Sequence, residues 1–115
     1  MLVKKTKKED LSKYDKITRD YDPLKIAPNT EKKIKLRYNN PDEMDKDFEI
    51  ESTANDIIFV RSKELHVDSK AGEFIRLTIV APKTLGKYTV SIIVKNKANQ
   101  KVEEVLKFFI LVDNS

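Results

Sequence analysis

The stretch FIRLTIVAPKTLGKYTVSIIVKN, residues 74–96, contains two runs of alternating apolar and polar side chains with a turn between them. The side chains of a β-strand point alternately to its two faces, so each run predicts a strand that buries one face. The segment APKTLG, which contains proline and glycine, predicts the turn that joins them. The inward positions of the two runs are Ile75, Leu77, Ile79, Tyr88, Val90, Ile92 and Val94.

The same period of two recurs on both sides of this stretch. Its inward positions there are Ile34, Leu36, Tyr38, Phe48, Ile50, Leu106, Phe108, Ile110 and Val112. Residues 23–26, 57–60 and 64–67 are shorter strand candidates, and the turn signals NNPDE, STAND, SKAGE and NKANQ separate the runs. Intervals of about 8 to 12 residues between turns are typical of a β-sandwich. We therefore predict an all-β fold, an immunoglobulin-like β-sandwich of seven or eight antiparallel strands over residues 22–115.

Residues 1–21 show a different pattern. A basic tail is followed by Leu11, Tyr14, Ile17 and Tyr21, at spacings of three, three and four. These spacings predict a short amphipathic helix within residues 9–21, or else an extended arm. So short a helix is marginal alone and needs to dock its apolar side.

Length and composition limit the function classes. The 115 residues suffice for one domain, and the chain has no cysteine, which favours a reducing, intracellular compartment. We expect no signal peptide, because the N-terminus MLVKKTKKED lacks an apolar core of about seven or more residues. We expect no membrane insertion, because no apolar run approaches the roughly 18 residues needed to span a bilayer. The net charge of +4 comes from Lys4, Lys5, Lys7 and Lys8, since the rest of the chain has 19 of the 23 basic residues against 19 acidic ones. With 19 lysines and only four arginines, no nucleic-acid partner is expected.

We predict no catalytic residue, no cofactor and no metal. The single histidine, His66, lies in an alternating segment and has no cysteine or other histidine to work with, so a nucleophilic triad is unlikely on composition alone. The two glycines are isolated, which disfavours a phosphate-binding loop. The alternative is a calcium loop with Asp42, Glu43, Asp45 and Asp47, but it lacks the spacing of an EF-hand.

An ordered set of short motifs covers residues 34–96. A strand that ends in an Asn-Pro turn (Asn40, Pro41) is followed by FEIEST, FVRSKEL, VDSKAGEF, the long strand FIRLTIV, and AP before GKYTVSIIV. In this order the motifs resemble the major sperm protein (MSP) superfamily and its ciliary and centrosomal relatives, the ASH-type immunoglobulin-like domains. The pattern Y-x-N-P, F-x-I-x-S, A-P is most similar to the repeated domains of nephrocystin-4 proteins of the ciliary transition zone.

The resemblance implies a non-catalytic protein-protein interaction module of a cytoskeletal, centrosomal or ciliary scaffold. The alternative within the superfamily is a structural protein that self-associates through strand edges. A VAP-like membrane-contact adaptor is disfavoured. That branch binds acidic peptides with two lysines where this chain has Glu49 and Glu51; Lys87 matches its third position and Thr89 replaces a methionine. Carboxylates at these positions would repel an acidic peptide.

Alternation also assigns outward side chains. On one face we expect Lys33, Lys35, Arg37 and Arg76, and on the other Asp47, Glu49 and Glu51, so the charges are predicted to be segregated. Beside the acids, Thr89, Ser91, Ile93, Lys107, Phe109 and Leu111 are predicted to point outward.

Two interpretations of Ile93, Phe109 and Leu111 are open. Either the N-terminal segment covers them, or they form an apolar patch rimmed by acids that binds a protein or peptide partner. In the first case Leu11, Tyr14 and Ile17 would provide the cover. The candidate partner-binding residues are Glu49, Glu51, Lys87, Thr89, Ile93, Lys107, Phe109 and Leu111.

Overall fold

The computed structural model describes residues 11–114 and shows two β-sheets packed face to face. The predicted all-β, immunoglobulin-like sandwich is confirmed. A short 3₁₀ helix, Ser12–Ile17, comes first. The nine strands that follow are β1 (Thr18–Asp20), β2 (Leu24–Ile26), β3 (Glu31–Asn39), β4 (Lys46–Ser52), β5 (Ile58–Val60), β6 (Glu64–Val67), β7 (Gly72–Val80), β8 (Gly86–Asn96) and β9 (Val102–Val112).

The larger sheet has six strands, in the order β1-β9-β8-β4-β6 with β2 also paired to β9. The smaller sheet has three strands in the order β3-β7-β5. The pairings are antiparallel except that β1 and β2 run parallel to β9. The described strands therefore number nine instead of seven or eight. β1 was not foreseen, because its residues fall within the helical spacing of residues 9–21.

The predicted short N-terminal helix is present as a 3₁₀ helix, but it is shorter than the pattern of residues 9–21 indicated. The helix ends at Ile17, and Thr18 begins a strand that pairs with β9, so the sheet starts before residue 22. Tyr21 stacks on Phe108, with ring centroids 4.7 Å apart. Threonine favours the extended conformation, and the pairing with β9 provides backbone hydrogen bonds that so short a helix would lack. The basic residues 1–10 of the predicted tail lie outside the described residues.

The core lies between the sheets and uses the inward positions of the alternating runs. Phe48 of β4 is 2% exposed, and the ring of Tyr38 meets it edge-on at 5.2 Å. Fully buried aliphatic side chains from both sheets surround this pair: Ile58, Ile75, Leu77, Ile79, Ile92, Leu106 and Ile110. The long strands β3, β7, β8 and β9 therefore direct toward the core the face that their alternation predicts.

Asn40 links the turn after β3 to the opposite sheet. It is 1% exposed, and its Nδ2 donates to the carbonyls of Met44 and Val67 at 2.8 and 3.1 Å. Its Oδ1 accepts from the amide of Asp42 at 3.0 Å. The Asn-Pro turn thus has an internal structural role.

In the described part of the chain, no helix has the length and apolar character needed to cross a bilayer.

Candidate functional site

The candidate partner-binding residues lie on the outer face of the six-stranded sheet. Across β8 and β9, Lys87 pairs with Leu111, Thr89 with Phe109, and Ile93 with Val105. Directly opposed residues of two strands project to the same face, so these side chains share one surface, opposite the core. The predicted outward orientation agrees with this register.

Part of this surface is an apolar groove where β8 begins and β9 ends. Phe109 and Leu111 are half-buried, and Pro23, between β1 and β2, closes the side toward the sheet edge. Lys87 and Thr89 form the wall on β8, and the groove has a volume of about 370 Å³. An apolar groove with a small polar contribution can accept a large side chain from a protein segment.

The other part of the surface is covered by the N-terminal segment. Ile93 is 6% exposed and Val105 is 0% exposed, although neither belongs to the core between the sheets. Leu11 and Thr18 line a small cavity of about 210 Å³ together with Val105. The N-terminal segment therefore lies next to this half of the patch, as the first interpretation proposed.

That cover is partial. Ile17 is 36% exposed, whereas Leu11 and Tyr14 are half-buried. Phe109 and Leu111 remain accessible in the groove, and Ile93 does not. The N-terminal segment thus covers the half of the predicted patch at Ile93, whereas partner binding by the half at Phe109 and Leu111 stays a prediction.

The acids of β4 do not rim this groove. Glu49 pairs with Lys95, and Phe109 pairs with Thr89. Thr89 and Lys95 are six residues apart on β8, which is a distance of about 20 Å at about 3.3 Å per residue. The charged residue in the groove is Lys87, and the Lys107 ammonium lies 6.0 Å from the Phe109 ring centroid. Glu51 pairs directly with Ile93 of β8, so the acids of β4 border the covered half of the predicted patch, whereas the groove has cationic neighbours. Partner binding at this patch stays a prediction.

Both acids have local partners instead. Glu51 forms an ion pair with Lys95 at 3.7 Å. Glu49 accepts a hydrogen bond from the side-chain amide of Gln100 at 3.3 Å. These contacts satisfy the two carboxylates within the domain.

The loop carboxylates considered for calcium are also directed to separate partners. Asp42 pairs with Lys46, and Glu43 pairs with Lys70 at 3.3 Å. Asp45 accepts a hydrogen bond from the backbone amide of Ser69 at 2.8 Å. Cation ligands must converge on one point, and these side chains do not.

His66 is at the centre of a group that the sequence did not indicate. Its Nδ1 lies 2.7 Å from Asp47 Oδ1, and its Nε2 lies 2.9 Å from Asp68 Oδ1. The hydrogen bonds to Asp47 and then Asp68 raise the pKa of His66. The ligand atoms of Asp45, His66 and Asp68 lie within 4.8 Å of one another, and all three side chains are exposed. An imidazolium held between two carboxylates accounts for this geometry.

The fold is shared with several solved structures of low sequence identity. WR4, an MSP family member of Caenorhabditis elegans, superposes with a TM-score of 0.56 at 14% identity, over 79% of this chain and 92% of that one. The ASH/PapD-like domain 7 of human CEP192 has a TM-score of 0.60 at 10% identity, over 100% of this chain and 95% of that one. The domain thus has the MSP- and PapD-like type of immunoglobulin-like sandwich, as the motifs implied.

The fold also occurs within longer enzymes. A family 123 glycoside hydrolase of Clostridium perfringens has a TM-score of 0.64 at 14% identity, over 89% of this chain but 25% of the hydrolase. No protein-family model matches the sequence, and no curated protein matches it. The comparisons therefore show the fold, and function must be argued from the surface of the domain.

Proposed function

We propose that this domain is a non-catalytic protein-interaction module of an intracellular cytoskeletal, centrosomal or ciliary scaffold, and that its groove captures a segment of a protein partner. The observation that carries this proposal is the accessibility of Phe109 and Leu111 on a sheet face whose other apolar residues, Ile93 and Val105, are covered. Apolar side chains left open in a groove are the usual anchor points of a protein interface.

The charges around the groove suggest the chemistry of the segment. Lys87 lines the groove, and Lys107 lies beside Phe109. In residues 11–114 neither lysine forms an ion pair within the domain, because the ion pairs found there involve other cations. A partner with one large apolar side chain and a nearby carboxylate would fill the groove and neutralise these lysines.

The similarity to the ASH/PapD-like domain of CEP192 is a similarity of fold, and it supports the proposed scaffold function only to that extent. The finer resemblance to nephrocystin-4 domains stays a prediction. A VAP-like role remains disfavoured, since Glu49 and Glu51 stand on β4 where that branch has lysines.

Selection from a displayed peptide library tests the proposal. We expect enrichment of sequences that pair an aromatic or large aliphatic residue with acids, and loss of their binding in the double variant Phe109→Ala, Leu111→Ala. Phe59→Ala is the matched control, because Phe59 is a similarly accessible ring, 43% exposed, on the other sheet. The melting temperature of each variant is measured in parallel. Selected peptides that bind the double variant and the wild type equally would overturn the proposal.

Self-association is the second candidate, and one observation favours it. β3 is a nine-residue strand at the end of its sheet and is long enough to pair with another copy. Size-exclusion chromatography over a concentration series distinguishes the two functions, since open-ended assembly predicts an elution volume that falls steadily with concentration.

A further inference from the structure

The outer face of the three-stranded sheet carries cations that have no acidic partners. Lys33, Lys35 and Arg37 project from β3, and Arg76 projects from β7 opposite Lys35. Arg61, just after β5, lies beside Arg76 and donates its backbone amide to the Arg76 carbonyl at 2.8 Å. These side chains are exposed. Within residues 11–114 none of them forms an ion pair, since the ion pairs found there involve other cations.

Carboxylates are nearly excluded from this face. Among the outward positions of β3 and β7, Glu31 is the single acidic residue, and it stands at the end of β3 opposite Val80. Like charges on neighbouring strands repel one another, so this arrangement costs stability that an anionic partner would restore.

Aromatic rings on the same face are already occupied by cations. The Lys35 ammonium lies 4.6 Å from the Phe74 ring centroid, and the Arg37 guanidinium lies 5.9 Å from it. The Lys63 ammonium lies 5.3 Å from the Phe59 ring centroid. Binding of single-stranded nucleic acid relies on open aromatic faces for base stacking. These contacts therefore favour an acidic peptide over a nucleic acid as the anionic partner.

Within residues 11–114, β3 pairs with another strand on one side only, so its other edge is open there. The amide of Ala81 donates to Thr30 O, and the amide of Asn40 donates to Ala71 O, which places the even-numbered residues of β3 in hydrogen-bonded pairs with β7. The backbone groups of Arg76 bond on the β5 side, to Arg61 N and Ser62 Oγ, so Lys35 opposite it receives no bond from β7.

It follows that the odd-numbered residues of β3 direct their N–H and C=O groups to the free edge of the sheet. Lys33, Lys35 and Arg37 thus combine free backbone groups with outward cationic side chains.

We propose that the open edge of β3 binds an extended acidic segment of a partner as an added strand, with carboxylates at alternate positions opposite Lys33, Lys35 and Arg37. Residues paired across a sheet project to the same face, with Cβ atoms about 5 Å apart, which brings each carboxylate to one cation. The intervening side chains turn toward half-buried Ile34 and Leu36 and are therefore apolar. This surface is on the sheet opposite the groove of Phe109 and Leu111, so it does not depend on the function proposed for that groove.

Binding of a synthetic peptide of alternating glutamate and valine tests the proposal. The control is a peptide of the same composition with its glutamates in one block. We expect the alternating peptide to bind more tightly in fluorescence anisotropy at low salt and to shift the backbone amide signals of residues 33, 35 and 37. The double reversal Lys33→Glu, Lys35→Glu is expected to weaken binding about tenfold or more. Lys83→Glu, Lys101→Glu is the matched control, since it changes the net charge equally at exposed loop positions.

A second pair of variants separates backbone pairing from charge. Lys35→Pro and Lys35→Ala both remove the cation, but proline also removes the amide that points to the open edge, a position where a strand tolerates proline. We expect Lys35→Pro to bind more weakly than Lys35→Ala. Equal binding of the two peptides, or equal effects of the two variants, would overturn strand addition. Tighter binding of a single-stranded oligothymidine would overturn the choice of an acidic peptide. Absence of peptide binding would mean that the cations only protect the edge from pairing.

Discussion

At the scale of single residues, Asn40 and His66 show how polar side chains connect neighbouring elements. Asn40 is buried and fully hydrogen-bonded, whereas His66 is exposed and stands between Asp47 and Asp68. The Asn-Pro turn was predicted from the sequence, but its contacts to Val67 and Asp68 of another segment were not. These contacts join residues 27 and 28 positions apart in the chain, and they depend on the pairing of β4 with β6.

Replacement of Asn40 by alanine is expected to lower the free energy of unfolding by about 1–3 kcal/mol, because it leaves buried carbonyls without a donor. Urea denaturation measures the change. Asn39→Ala is the matched control, since Asn39 is exposed, and it is expected to change stability by less than about 0.5 kcal/mol. Equal effects of both variants would contradict the structural role of the Asn40 amide.

His66 is expected to titrate above its ordinary pKa, because its protonated ring donates to Asp47 and then to Asp68. A raised folded-state pKa means that the contribution to stability is complete below the unfolded-state pKa of about 6.5 and is lost as pH rises through the folded-state value. Titration of the ring protons by NMR measures the pKa directly. Asp47→Asn is expected to lower it, and an unchanged titration would contradict the contact.

At the scale of elements, every described strand except β1 was predictable, including the short strands β2, β5 and β6 that match the candidates at residues 23–26, 57–60 and 64–67. β3, β7, β8 and β9 are nine to eleven residues long and show their alternation plainly. β1 has three residues, and its position is set by pairing with β9, a contact that no local pattern encodes. The apolar spacing of residues 11–21 predicts a helix throughout, whereas the 3₁₀ helix ends at Ile17 and Tyr21 packs on Phe108 beyond the end of β1.

This arrangement predicts different roles for the two tyrosines of the N-terminal segment. Tyr21→Ala is expected to cost roughly 2 kcal/mol of unfolding free energy, because it removes a ring stacked on the core. Tyr14→Ala is expected to cost less than about 1 kcal/mol, since Tyr14 is only half-buried and outside the core. Chemical denaturation of both variants measures the difference. A larger loss for Tyr14 would indicate that a docked amphipathic helix is the better description.

At the scale of the whole molecule, charge is distributed differently on the two sheets. Carboxylates of β4 and β6 have local partners, such as Lys95 for Glu51 and Lys97 for Glu64. The cations of β3 and β7 have none within residues 11–114. Alternation predicted which side chains face outward. The distance of Glu49 from Phe109 was not predictable, since it depends on the register of pairings between β4, β8 and β9.

The unpaired cations predict a salt-dependent stability. Arg76→Glu places a carboxylate opposite Lys35 and is expected to raise the free energy of unfolding by about 0.5 kcal/mol at low salt. At about 1 M salt the gain is expected to vanish, because the Debye length falls to about 3 Å. Thermal unfolding at both salt concentrations measures the change. The control Lys83→Glu is expected to have a smaller effect, and a loss of stability in Arg76→Glu would contradict the repulsion.

Phe109 and Leu111 are proposed to form a partner-binding groove. The most direct test is site-specific photo-crosslinking in native cells, with a photoreactive amino acid at Thr89, inside the groove, or at Phe59, on the other sheet. The account predicts a discrete protein adduct from position 89 that disappears in Leu111→Asp without a loss of melting temperature, and no such adduct from position 59. An adduct that forms equally from both positions, or that survives Leu111→Asp, would contradict it.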